Sequence, residues 1–116
     1  MVIMGAIVII GVLLFFWLKN RPGPYDSLTQ CLTQHGVKMY GAFWCPHCAA
    51  QKKVFGSSWQ YVNYVECSLP NGQGQNDLCT AAGIEGYPTW EFAGGNRVPS
   101  ELSVEQLTQL SNCTVA

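Results

Sequence analysis

The sequence predicts an α/β sandwich around a mixed sheet, set behind an apolar N-terminal helix. Three observations predict it. From residue 25 onward, short strand-like runs alternate with runs of helical patterning, as in sheets covered by helices. "TWEFA" and "RVP" then flank a glycine turn at "GGN", the signature of a hairpin. Residues 1–18, "MVIMGAIVIIGVLLFFWL", contain only apolar residues and glycine.

The N-terminal run comes first. At about 1.5 Å per residue a helix of this length reaches roughly 27 Å, near the thickness of a hydrocarbon core. Trp17 suits the interfacial belt, and Lys19 and Arg21 follow it. A cleaved signal peptide would carry a basic leading region, a shorter apolar run and an A-x-A-like site, which this segment lacks. Residues 1–19 are therefore read as a transmembrane anchor. "NRPGP", residues 20–24, breaks the helix with two prolines and a glycine, giving a short stiff linker. Residues 25–116 form the single domain expected of a chain of 116 residues. The anchor accounts for a charged fraction of only 11%. A net charge of −1 gives no sign of a nucleic-acid partner.

Within the domain, "YDSLTQCLTQHG" (25–36) places Leu28, Cys31 and Leu32 at helical spacing, with Asp26 or Ser27 as cap and Gly36 as stop. "VKMYGAF" (37–43) reads as a buried strand. "CPHCAAQKKVFG" (45–56) reads as a helix with Pro46 in its first turn and Gly56 at its end. "YVNYVE" (61–66) is a strand, "CSLPNGQGQ" (67–75) a loop and "NDLCTAAG" (76–83) a short helix. The hairpin follows, and "SVEQLTQLSNC" (103–113) closes the chain as a helix. Ser103 and Gln106 form a candidate capping box there.

Cys45 and Cys48 carry the chemistry. A C-x-x-C that follows a strand and opens a helix is a redox arrangement. The amides and dipole of a helix N-terminus favour an anion, so Cys45 is expected to be the stabilised thiolate. Cys48, one turn further in, is the resolving partner. His47 between them, when protonated, adds positive charge beside Cys45. Stabilising the reduced form makes a stronger oxidant.

"FWCPHC", with "GYPTW" placing Pro88 40 positions after Cys48, resembles a thioredoxin-fold oxidoreductase. The Pro46-His47 dipeptide is similar to that of the periplasmic oxidant DsbA. The strings "KMYGAFWCPHC", "YVEC" and "CTAAGIEGYPTWEF" resemble the thioredoxin-like domain fused to or partnered with bacterial and plant homologues of vitamin K epoxide reductase. The resemblance covers about residues 25–112. It implies a thioredoxin-like fold, a mixed four-stranded sheet between helices. It implies that Pro88 is cis and faces the disulfide, that the backbone at Tyr87 pairs with an extended substrate segment, and that Trp44 shields the site. It implies cysteine-containing protein substrates, no cofactor, and a quinone-reducing, vitamin K epoxide reductase-like membrane protein as the partner that re-oxidises Cys45–Cys48. It also implies the periplasm or plastid lumen. Lys19 and Arg21 point the other way, because the positive-inside rule would leave the domain in the cytosol.

One position departs from thioredoxins, which carry a buried aspartate six residues before the first cysteine. Here it is Met39. Cys48 has less help in losing its proton, which turns the expectation from a general reductant toward an oxidant or isomerase.

Four cysteines remain. Cys67 and Cys79 bracket an 11-residue loop and are a candidate structural disulfide, worth up to about 3 kcal/mol in the chain-entropy model. Two buried free thiols and a second redox pair are the alternatives. Cys31 and Cys113 each fall on a predicted helix and receive no assignment. Two free thiols and an intermolecular bond at Cys113 are both open, and because six cysteines allow 15 pairings the sequence does not fix the partners. A zinc centre built from Cys45, Cys48, Cys67, Cys79 or His47 is disfavoured, because no second tight ligand pair accompanies the C-x-x-C. The expected metal content is none.

The sequence thus predicts a membrane-anchored thiol–disulfide oxidoreductase that oxidises exported proteins. A reductase or isomerase on the same fold, and a non-catalytic peptide-binding module, are the competing readings.

Overall fold

A computed structural model describes residues 2–20 and 22–115. Met1, Ala116 and Arg21, the last of which was used above to read topology, lie outside the described residues. Helix α1, Val2–Asn20, begins the chain. Its Val2–Lys19 stretch has a mean hydropathy of 2.5 and none of it is buried. It is long and apolar enough to cross a membrane.

Next come α2 (Asp26–Gln34), β1 (Lys38–Gly41), α3 (Pro46–Phe55), a 3-10 helix (Gly56–Tyr61) and β2 (Asn63–Glu66). Then follow α4 (Asp77–Ala81), β3 (Thr89–Glu91), β4 (Arg97–Val98) and α5 (Val104–Ser111). The sheet order is β2-β1-β3-β4. Strand β1 lies parallel to β2, with Gly41 opposite Glu66, and antiparallel to β3, with Met39 opposite Trp90. Strand β4 returns antiparallel on β3. Four mixed strands between helices make this the thioredoxin-like arrangement.

Alternation along β1 sends successive side chains to opposite faces. Met39 enters the larger core, with Leu28, Leu32, Phe55, Trp90 and Leu107 from α2, α3, β3 and α5. Tyr40 enters a smaller core with Cys67, Cys79 and Ile84. Four buried residues give that face little apolar area. A disulfide between Cys67 and Cys79 staples it, tying the end of β2 to α4. Asn76 reinforces the junction: its side chain accepts from Cys79 N and donates to Glu66 O.

Several boundaries differ from the expected ones. Tyr25, not Asp26 or Ser27, is the N-cap of α2, and it makes no side-chain cap bond. Asp26 instead accepts from Gly23 N and Ser58 Oγ, so its carboxylate fastens the segment before α2 to the 3-10 helix. A Cβ on Gly23 would collide with Ser57 and Ser58, so the end of the linker is packed against the domain. The 3-10 helix was not anticipated. It delays β2 to Asn63, and Trp59 packs between Phe55 and Tyr64 there. Strand β3 stops at Glu91 because Phe92 already belongs to the turn, its N–H donating to Asn96 O. The capping box of Ser103 and Gln106 is present at α5.

The sequence left Cys31 and Cys113 without an assignment. They form a disulfide, with Cα atoms 5.9 Å apart. Cys113 also lies beyond α5 rather than on it. Asn112 adopts the left-handed conformation at φ 61°, which small polar residues tolerate at helix ends. It turns the chain back toward α2.

The sequence separations are 82 for Cys31–Cys113 and 12 for Cys67–Cys79. Chain entropy then assigns about 4.5 kcal/mol to the first and about 3 kcal/mol to the second. The pair of substitutions Cys31→Ser and Cys113→Ser is expected to lower the denaturation midpoint more than Cys67→Ser with Cys79→Ser. The reverse order would show that packing of the small core, not loop closure, sets the cost.

Candidate functional site

Strand β1 ends at Gly41, and four residues later α3 begins. Those residues, "AFWC", turn the chain at the carboxyl end of the central strand. Cys45 is the N-cap of α3, with Pro46 at its first position, where the missing N–H costs nothing. The Cys45 N–H donates to Ala42 O. Its side chain accepts no cap bond from the first turn, so the helix N-terminus acts on it through the dipole alone. Cys45 and Cys48 are both free thiols and both buried, at 6% and 1% exposure.

The loop before β3 closes the site. The Tyr87–Pro88 peptide is cis, and the Cys45 thiol donates to Tyr87 O at 3.8 Å. Trp44 stands beside them, its ring edge-on to Tyr87 at 5.9 Å between centroids. Its indole N–H donates to Ser68 Oγ at 2.9 Å. Half of Trp44 remains exposed, as does Phe43, so the site has an apolar rim. His47 is well exposed and is held by Glu101, Nδ1 to Oε2 at 2.9 Å.

Cys48 is in a different environment. Burial pushes its thiol up to about 11, helped by the neighbouring Cys45, while the Ala42 backbone and the Lys52 ammonium act in the opposite direction. Its sulfur sits over Gly41, where an added Cβ would lie 2.9 Å from Cys48 Sγ and 2.9 Å from the Tyr64 ring. Burial, with the Glu66 carboxylate beside it, raises the Tyr64 phenol well above its usual range. Tyr64 is therefore a proton-bearing wall of the site.

The structure thus brings Trp44, Cys45, Pro46, His47, Cys48, Tyr87 and Pro88 to one place. Cys67 and Cys79 lie on the far face of the sheet, joined to each other. Three site-building residues escaped the sequence reading. Glu66 accepts from Phe43 N, Ser68 N and the Tyr64 hydroxyl, fixing the turn that carries Trp44 and Cys45. Gln51, 1% exposed, accepts from Trp90 Nε1 and Leu102 N and donates to Leu102 O. It locks α3 to β3 and to the segment bearing Glu101. The signal for Gln51 was its position: Cys48, Gln51 and Phe55 share one helical face. Gly41 had no signal beyond being a glycine inside a strand.

Gly41→Ala is expected to cost about 1–3 kcal/mol through overpacking against Cys48 and Tyr64, seen as a lower thermal midpoint of the reduced protein. An unchanged midpoint would mean that the sulfur and the ring move apart freely. In a Cys45→Ser variant, burial still holds the Cys48 thiol above its ordinary value of 9.0. The rate of iodoacetamide labelling at Cys48 should climb about tenfold per pH unit through pH 9, levelling off only above it. A plateau near pH 8 would contradict the burial argument.

No protein-family model matches the chain. It is similar to thiol-disulfide oxidoreductase LTO1 of Arabidopsis thaliana, with 38% identity over 100 residues. The match covers 81% of this chain and 26% of that protein, so the chain spans about a quarter of its relative's length.

Proposed function

We propose that the chain is a membrane-anchored thiol–disulfide oxidoreductase that oxidises cysteines of exported proteins. The observation that carries this reading is the pair of free thiols at the start of α3, the outer one facing the carbonyl of Tyr87 before cis Pro88. The similarity to a protein named for this activity supports it.

The cycle starts from the Cys45–Cys48 disulfide. A substrate thiolate, laid against the Tyr87–Pro88 backbone, attacks Cys45 Sγ. The Cys45–Cys48 bond breaks, and Cys48 leaves with the electron pair and takes a proton. A second substrate thiolate then attacks the substrate sulfur of the mixed disulfide. Cys45 leaves as a thiolate beside the α3 N-terminus. The substrate has lost two electrons, and Cys45 and Cys48 hold them as a dithiol. His47, held by Glu101, adds positive charge beside Cys45 when protonated. A quinone-reducing, vitamin K epoxide reductase-like membrane protein would accept the two electrons and restore the disulfide, and the α1 anchor would keep the domain near it.

The oxidising side of the membrane is favoured by the two structural disulfides, Cys31–Cys113 and Cys67–Cys79. Lys19 at the end of α1 favours the cytosolic side. Two disulfides weigh more than the two flanking charges, Lys19 and Arg21.

The test is the redox equilibrium of Cys45–Cys48 against glutathione, using the full chain in detergent with each cysteine followed by mass. The expected potential lies above roughly −200 mV, among oxidants and isomerases. A value near about −270 mV would make the protein a thioredoxin-like reductant. Cys45→Ser should abolish oxidation of a reduced model peptide. If activity survives that change, the catalytic reading fails, and peptide binding through the Pro88 loop takes its place.

A further inference from the structure

We propose that Cys31, His35 and Cys113 form a redox-gated zinc site, shut while the two cysteines are joined and open once they are reduced. The site is separate from the C-x-x-C, and the argument does not rest on the proposed activity.

Among the described residues, these three make the one group of such side chains close enough to share an ion. Their ligand atoms all lie within 4.8 Å of one another. In a tetrahedral zinc site, bond lengths of about 2.0–2.3 Å put neighbouring ligand atoms roughly 3.5–3.8 Å apart. His35 needs to approach by only about an ångström, and the two sulfurs, bonded to each other in the oxidised state, part to that spacing once reduced. The backbone already supports this placement. Cys31 and His35 are four residues apart, on one face of the last turn of α2, and His35 is its C-cap. The left-handed Asn112 delivers Cys113 to that turn from the end of α5.

The electrostatics agree. The C-terminus of a helix carries the negative end of its dipole and favours a cation. Two thiolates and one imidazole are a borderline-soft set suited to zinc, with one position left for water. His35 is exposed and Cys31 half-buried, so the ion has a path from solvent. A 290 Å³ cavity lined by His35, Ser111 and Asn112 lies beside the site and has room for the fourth ligand.

Opening requires two electrons. A dithiol reductant attacks one sulfur of Cys31–Cys113, forms a mixed disulfide with it, and departs as its own disulfide. Cys31 and Cys113 remain as thiols. Zinc binding then displaces two protons, one from each thiol. In either state the end of α2 stays tied to the segment after α5, by a sulfur–sulfur bond when oxidised and by the metal when reduced.

The test uses the full chain in detergent, carrying Cys45→Ser and Cys48→Ser to remove the competing pair, with cobalt(II) alone as the probe. The oxidised protein should bind no cobalt. After reduction it should bind one equivalent, with the visible bands of a tetrahedral ion and a thiolate charge-transfer band. His35→Ala alters an exposed side chain and leaves the fold intact. It should weaken cobalt binding by at least about tenfold, the loss that even an outer-shell partner brings, and should shift the visible bands. If reduction alone unfolds the chain, cobalt should restore helical circular dichroism in the parent and not in His35→Ala. Equal affinity and spectra for parent and His35→Ala would place the metal on other thiols and overturn the proposal. So would the absence of binding after reduction.

Discussion

The active end of the molecule depends on a missing methyl group. Strand β1 runs into the site through Gly41, and the space a Cβ would fill holds the Cys48 sulfur and the edge of the Tyr64 ring. That approach lets α3 start directly above the carboxyl end of the central strand. Cys45 can then be the cap of α3 and still meet the Tyr87 carbonyl. Everything else at the site keeps this arrangement in place. Glu66 holds the turn from below, and Gln51 holds α3 from behind.

Gln51 illustrates how polar groups specify a core. Its amide meets three partners on β3 and the segment before α5, and no buried side-chain polar atom among the described residues lacks a partner. Fully satisfied, such a network fixes one register between elements, because any slip leaves buried groups unpaired. Glu101 is carried on the segment that Gln51 grips. The position of the His47–Glu101 pair at the mouth of the site therefore follows from a hydrogen-bond network inside the core.

The order of elements, the hairpin and the capping box of α5 were legible because each rests on local chemistry. Ser103 and Gln106, or "GGN" with its two left-handed glycines, need only their immediate neighbours. The Cys31–Cys113 bridge was not legible, since it joins positions 82 apart and depends on Asn112 reversing the chain. That reversal has a local signal, an asparagine following a helical run, but nothing local says where the reversed chain lands. The 3-10 helix was hidden for a similar reason. Its residues are held by Asp26 and Tyr25 from another element, so tertiary contacts rather than propensity decide its form. At the site, Cys45, Cys48 and Pro88 stood out as a motif, whereas Glu66 and Gln51 act through backbone groups far away in sequence.

Cys48 bears on the timing of the chemistry rather than on its direction. A Cys48 thiolate takes part in both directions of exchange, as the leaving group when a substrate thiol is oxidised and as the nucleophile when a mixed disulfide is resolved. Its raised pKa therefore slows both and favours neither. Nor is the barrier constant through the cycle. Part of what raises Cys48 comes from Cys45, through their hydrogen bond and through the charge on Cys45. Once Cys45 is bonded to a substrate, it is no longer a charge beside Cys48 nor an anionic acceptor for the Cys48 proton. The Ala42 backbone and Lys52 then oppose burial alone, and Cys48 becomes easier to ionise at the step that needs it. Met39, where thioredoxins hold a carboxylate, thus bears on the rate at Cys48, and the turn toward an oxidant expected from the sequence does not follow from that position alone.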